Sequence, residues 1–178
     1  MKQENLKRYL NSLGKQVVNR SKANLSRAKG NTKLSNSIKY KIVKVGGSID
    51  IKFSMDSYGA FLDKGVSGTK KKQSFKNQEN QSEVSPFKYR TKQPPANILS
   101  KWIKKKGLKG RNKKTGRFIS NMSLAFLIAR KIKRDGLKGL SFFQKPLRLG
   151  MKNYASQVSQ AVAKDIQADI EEQNKQKK

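Results

Sequence analysis

Apolar residues change their spacing along this chain, and the changes fix which elements it can build. Leu6, Leu10, Leu13, Val17 and Val18 recur at helical intervals of three and four, which places them on one face of an amphipathic helix. That helix is expected over residues 3 to about 28, ending near Gly30. From Leu34 the period falls to two. Ile38, Tyr40 and Ile42 alternate with Lys39 and Lys41, and after Gly46-Gly47, Ile49, Ile51 and Phe53 alternate with Asp50 and Lys52. This pattern predicts a β-hairpin with one apolar face, its paired glycines supplying the positive φ of a tight turn. The segment from Tyr58 to Gly65 is expected to add a third strand or an extended edge.

Helical spacing then returns. Pro94-Pro95 opens a helix carrying Ile98, Leu99, Trp102 and Ile103, and the spacing of Trp102 to its neighbours predicts a core residue. A helix from about Ser120 to Arg134 has the widest apolar surface and is expected to be the most buried. A last helix, from about Leu147 to Gln173, places Tyr154, Val158, Val162, Ile166 and Ile170 at every fourth position. A spacing of four drifts around a helix of about 3.6 residues per turn, so this stripe wraps obliquely.

The predicted fold is therefore α+β. A small antiparallel sheet, hairpin plus third strand, is packed by an N-terminal helix, two central helices and a long C-terminal helix. Residues 1–178 read as a single domain. Residues 67–93, rich in Lys, Gln, Asn and Ser and anchored only by Phe75, Val84, Phe87 and Tyr89, are expected to form a flexible or partner-binding arm. Residues 107–117, GLKGRNKKTGR, hold three Gly and no acid and are expected to form a flexible basic loop.

Charge limits what such a chain meets. Forty-two Lys and Arg stand against eleven Asp and Glu, a formal charge of +31 that repels its own copies and attracts any polyanion. Between Glu83 and Asp135 there is no acid but sixteen Lys and Arg, nine of them from Lys101 to Arg117. Lys101, Lys104, Lys105, Lys106, Lys109, Arg111, Lys113, Lys114 and Arg117 are the expected DNA-facing residues, since each cation brought to a phosphate releases a condensed counterion. The plainer alternative is a solvated loop, and the excess of Lys over Arg favours diffuse, non-specific attraction. Tyr58, Phe61, Phe87 and Tyr89 lack the close spacing of an aromatic platform for single strands.

The same composition excludes several chemistries. With neither Cys nor His there is no disulfide framework, no thiolate metal site and no imidazole base. Asp50, Asp56, Asp63 and Glu79 lack the spacing of a nuclease centre, and the Gly-rich loops lack the GxxxxGK[ST] order that cradles nucleotide phosphates. No catalytic, cofactor-binding or metal-ligating residue is predicted. No secretory signal or run of 18 apolar residues is found, so synthesis in a reducing cytoplasm and no membrane partner are expected. Only 34% of residues are hydrophobic, so the core is modest, and amphipathic terminal helices gain stability by burial between subunits. Tyr154, Val158, Val162, Ile166 and Ile170 are the expected subunit interface.

Three phrases carry a family resemblance. The first is Tyr-x-x-aromatic-x-acid-x-Gly at Tyr58, Phe61, Asp63 and Gly65. The second is the helix end Ile128-Ala129-Arg130-Lys131-Ile132 followed by Gly136. The third is the turn Phe142-Phe143-Gln144-Lys145-Pro146 before a long C-terminal helix. In their order the chain resembles the small neck and tail-component proteins of tailed phages, which join head to tail or complete the tail. The extreme basicity and the Lys-rich stretch at 107–117 depart from that pattern. The resemblance implies an α+β fold, a homo-oligomeric ring on the phage axis, no catalysis, and residence in the virion after assembly in the host cytoplasm. Its partners would be portal, neck or tail neighbours and phage DNA bound without sequence preference. The competing expectation is a basic nucleic-acid-binding module, ribosome-associated or a DNA-packaging accessory, for which the acid-free window is the main support. A nuclease or other enzyme is the least favoured class.

Overall fold

The computed structural model describes residues 3–29, 33–46 and 48–176, and its fold is α+β. In chain order the first elements are α1 (Glu4–Lys29), α2 (Lys33–Ser37), β1 (Lys39–Val45), β2 (Ser48–Ser54) and α3 (Tyr58–Lys64). There follow β3 (Val66–Ser67), β4 (Ser74–Lys76), β5 (Ser82–Val84), α4 (Ala96–Lys106), β6 (Gly110–Arg111) and β7 (Phe118–Ile119). Next come α5 (Asn121–Asp135), β8 (Gly136–Leu137), α6 (Gln144–Met151) and α7 (Tyr154–Gln176). The residues expected as one domain group into two compact units. One comprises the chain up to Gly59, Lys76–Gln81 and the chain from Leu140; the other comprises Ala60–Phe75 and Ser82–Gly139. No described helix is long and apolar enough to cross a membrane.

The first unit is built around α1, whose spaced apolar residues Leu10, Leu13, Val17, Val18 and Leu25 are all buried. They face β1, β2, α2, α6 and α7. Each such side chain stabilises the unit by about 1.5 to 3 kcal/mol relative to leaving it exposed. The expected hairpin is present, with β1 and β2 antiparallel and Tyr40 opposite Phe53. Gly46 takes φ +53° in its turn. Gly30 and Gly47, named as punctuation above, lie outside the described residues. Gly14 in mid-helix would cost about 1 kcal/mol relative to Ala, yet a side chain there would run into the Tyr40 ring. The Tyr40 hydroxyl donates to the Asn11 carbonyl at 3.2 Å, which fixes the ring across α1. Phe53 meets Phe143 edge-on with centroids 5.5 Å apart, so the aromatic-then-Pro phrase closes the hairpin's apolar face.

The single long terminal helix expected from its apolar spacing is two helices, α6 and α7, separated at Lys152-Asn153. Gly150, a poor helix former, sits where Leu13 of α1 leaves no room for a side chain, and Asn153 is also unfavourable in a helix interior.

The second unit departs further from expectation. The segment from Tyr58 is the helix α3 and not a third strand, because Tyr58, Phe61 and Leu62 are spaced i, i+3, i+4 and the polar alternation a strand needs is missing. β3 pairs instead with β8, antiparallel, and Ser67 bridges Lys88 on its other side. Four glycines make this crossing possible. A Cβ at Gly65 or Gly139 would strike the opposite backbone, as it would at Gly68 against Arg134 and at Gly136 against Val66. Gly65 of the first phrase thus packs on Leu137 and Gly139, which follow the second, and Gly136 of the second packs on Val66, Ser67 and Gly68, which follow the first.

Residues 69–73 end α5. The amides of Thr69 and Lys70 donate to the Lys133 and Arg134 carbonyls at 2.8 and 2.9 Å, and Gln73 Nε2 donates to the Asp135 carbonyl at 2.8 Å. These donors satisfy carbonyls that a helix C-terminus otherwise leaves open. The Lys- and Gln-rich stretch expected as an arm is tied down here, with Phe75 and Ser85 buried and Ser85 Oγ donating to the Gly65 carbonyl at 2.6 Å.

α5 is not the most buried helix. Only Ala125 and Ala129 are buried on it, while Met122, Phe126 and Leu127 are exposed, because α4 covers a single stripe. Trp102, expected in the core, is 44% exposed. Ile103 takes the buried face instead, and one residue along a helix turns a side chain by about 100°.

Candidate nucleic-acid interface

The expected DNA-facing residues occupy the end of α4 and a hairpin that follows it. Lys104, Lys105 and Lys106 form the last turn of α4, where cations suit the negative end of the helix dipole. Gly107 stops the helix in the left-handed conformation at φ +63°. Its amide and that of Leu108 return to the Lys104 and Ile103 carbonyls at 3.1 Å each, the double bond of a Schellman end.

Residues 110–119 then form a hairpin, with Gly110 opposite Ile119 and Arg111 opposite Phe118. The stretch expected as a loop therefore has strand pairing and an ordered tip. Asn112 organises that tip. Its backbone amide donates to the Arg117 carbonyl at 2.8 Å, and its side-chain oxygen accepts from the amides of Lys114 and Thr115 at 2.9 and 3.3 Å. Gly116 supplies φ +65° on the return. At the base, Gly110 lies against Leu124 of α5, where a Cβ would come within 2.9 Å of the leucine.

Lys101, Lys104, Lys105, Lys106, Lys109, Arg111, Lys113, Lys114 and Arg117 are all exposed. Two of them are drawn together over Phe118, with the Arg111 guanidinium 4.4 Å and the Lys109 ammonium 5.7 Å from the ring centroid. The ring holds two like charges near each other without an acid between them. Phe118 is not among the residues expected at this surface, although an aromatic directly after an acid-free basic run signals such a platform.

The expected subunit interface is divided. Tyr154, Val158 and Val162 are half-buried, and the Tyr154 ring stands 6.2 Å from Tyr9 of α1. Ile166 and Ile170 remain 45% and 54% exposed. The residues that bury fully against α1 are Ala161 and Asp165, on the neighbouring stripe. In the sequence Asp165 is one of a group of acids near the end of the chain; in the structure it caps α1. Its carboxylate oxygens accept from the Asn5 and Leu6 amides at 2.8 and 3.1 Å and from Asn5 Nδ2 at 3.0 Å. Burial raises its pKa, and the hydrogen bonds from Asn5, Leu6 and Glu4 outweigh burial, so the group stays below the usual carboxylate range.

A second concave feature lies in the Ala60–Gly139 unit. Phe61 and Phe87, with centroids 4.2 Å apart, join Val66, Tyr89 and Leu137 around a cleft of about 470 Å³. Lys88 and Arg90 also line it, and no acid does. Burial raises the Tyr89 pKa. Among the described residues no group of three or more carboxylates is close enough to hold a metal ion. No family model, curated protein or solved structure matches this chain at a significant level.

Proposed function

We propose that this chain is a non-enzymatic structural protein of a tailed-phage virion, a subunit of a ring at the head–tail junction or the completed tail, with DNA passing its basic hairpin. The observation that carries this reading is the hairpin of residues 110–119, an ordered projection with Lys109 and Arg111 gathered on Phe118 and Lys113, Lys114 and Arg117 at its tip. Cations held on a defined scaffold, with no acid nearby in sequence, suit phosphate contacts that are strong in sum and blind to base identity. Gly65 and Gly136, the glycines of the first two phrases, each lie against the segment that follows the other phrase, which gives those phrases a shared structural reason to occur together and supports the same reading.

The second reading, a nucleic-acid-binding module outside a virion, rests on the same hairpin and is separated by oligomeric state. DNA binding is tested by a salt titration with a short duplex. Lys113→Ala, Lys114→Ala and Arg117→Ala together are expected to reduce the slope of log K against log salt by about 0.9 for each phosphate that the hairpin no longer neutralises. Two duplexes of unrelated sequence should bind alike. An unchanged slope removes the hairpin from the DNA interface.

A further inference from the structure

We infer that two surfaces of this chain are made for each other in different copies: the acidic, isoleucine-bearing end of α7 on one copy seats in the Phe61–Phe87 cleft of the next. The inference deepens the ring reading and rests on it.

The cleft is lined by apolar residues and two cations. Phe61 and Leu137 are 45% and 42% exposed although each has an apolar wall beside it, so water is left on surface that a partner's side chain would cover. Lys88 and Arg90 also line the cleft, and no carboxylate does. An occupant with apolar side chains flanked by carboxylates suits this lining.

The end of α7 has that composition. Ile166 and Ile170 are one helical turn apart and exposed, and Glu171 and Glu172 follow them, also exposed. At about 100° per residue Asp169 and Glu171 fall on either side of the Ile166–Ile170 stripe and Glu172 on the far face, and apolar anchors at i and i+4 between acids match the way an amphipathic helix enters a groove. With Asp165 committed to α1, Asp169, Glu171 and Glu172 remain in a stretch that holds no Lys or Arg from Asp165 to Asn174, so this is the place where one copy of a protein with charge +31 offers carboxylates to the basic surface of another. Because Ile166, Ile170, Phe61 and Leu137 are all exposed within one chain, neither surface is satisfied until a second copy meets it. The two surfaces differ from each other, so their contact is head-to-tail, the kind of interface that closes into a ring when the rotation between copies divides a full turn.

The absence of cysteine permits a direct test. Leu137→Cys and Ile170→Cys are made in separate chains, each confirmed folded by circular dichroism, mixed and oxidised. The expected result is a disulfide-linked heterodimer in excess of either homodimer. Lys88→Glu with Arg90→Glu in the Leu137→Cys chain should abolish the link, and Asp169→Lys with Glu171→Lys in the Ile170→Cys chain should restore it. A heterodimer no more abundant than the homodimers overturns the pairing, as does a link formed only within one chain when both cysteines are placed together. Protection of the Leu137→Cys thiol by a single-stranded oligonucleotide, with no effect of the α7 charge reversals, assigns the cleft to nucleic acid and also overturns it. Large assemblies of the unaltered protein without this link sink the pairing and leave the ring reading standing, whereas a single-chain mass at every concentration removes both.

Discussion

Asp165→Ala is the substitution whose cost follows most directly from the structure. α1 begins at Glu4, so Gln3 occupies the N-cap position, and its carbonyl accepts the Lys7 amide at 3.2 Å. Gln is not among the residues that cap well. The donors a capping side chain would take, the amides of the second and third helical residues, are those of Asn5 and Leu6, and both go to Asp165 from α7. Removal of the carboxylate takes away a cap, about 0.5 to 2 kcal/mol, and leaves donors short of partners at a half-buried site. The expected loss is about 2 kcal/mol, and about half that for Asp165→Asn, which keeps one acceptor oxygen. For a chain of this size about 2 kcal/mol corresponds to a fall in Tm of roughly 4 to 8 °C. Thermal unfolding followed by far-ultraviolet circular dichroism reads the change, with Trp102 emission reporting the unit that lacks Asp165. An unchanged Tm for Asp165→Ala, or equal damage from Asn and Ala, refutes the capping argument.

The same group sets a pH dependence. Its folded pKa lies below the unfolded value of about 3.9, so its contribution is present above that pH and is lost as pH falls through the folded pKa. Acid titration of the Asp165→Asn variant should show a shallower loss of stability below about pH 4 than the unaltered protein. Gly14→Ala, which would normally favour a helix by about 1 kcal/mol, should instead destabilise by about 1 to 3 kcal/mol in urea unfolding, because its methyl meets the Tyr40 ring. Gly136→Ala should abolish the cooperative Trp102 transition, since Gly136 holds φ +80° against the Val66 carbonyl. Ser21→Ala should be neutral or stabilise by about 1 kcal/mol, as the Ser21 hydroxyl is buried without a partner among the described residues; a destabilisation above that amount in urea unfolding contradicts this reading.

Where local spacing decides the structure, the sequence is legible. The α1 face, the β1–β2 alternation, and the extents of α4 and α5 follow from periodicity and punctuation within a few residues. Legibility ends where the deciding contact is distant. Tyr58 to Lys64 follows two strands and reads as a third, although its own spacing is helical. Trp102 and the apolar surface of α5 were expected inside, but a helix is buried only as far as it has neighbours, and α5 has one principal helical neighbour in α4. Asp165 resembles surface charge because its partners are about 160 residues away. At the candidate interface, the cations are evident from their run in sequence, whereas Phe118 and the Asn112 tip give them their arrangement. Phe61, Phe87 and Tyr89 are too widely spaced to suggest a common site, and the Ser67–Lys88 bridge brings them to one cleft.

The central proposal, a ring around DNA, is tested most directly by the mass of the purified protein in solution, measured by light scattering after size exclusion at moderate and high salt. The account predicts one closed assembly of defined copy number, visible as rings by negative-stain imaging. Its high-salt form should persist because screening weakens the repulsion between copies of charge +31. A single-chain mass at every salt and protein concentration, shifting only when nucleic acid is added, contradicts the ring and favours a basic binding module.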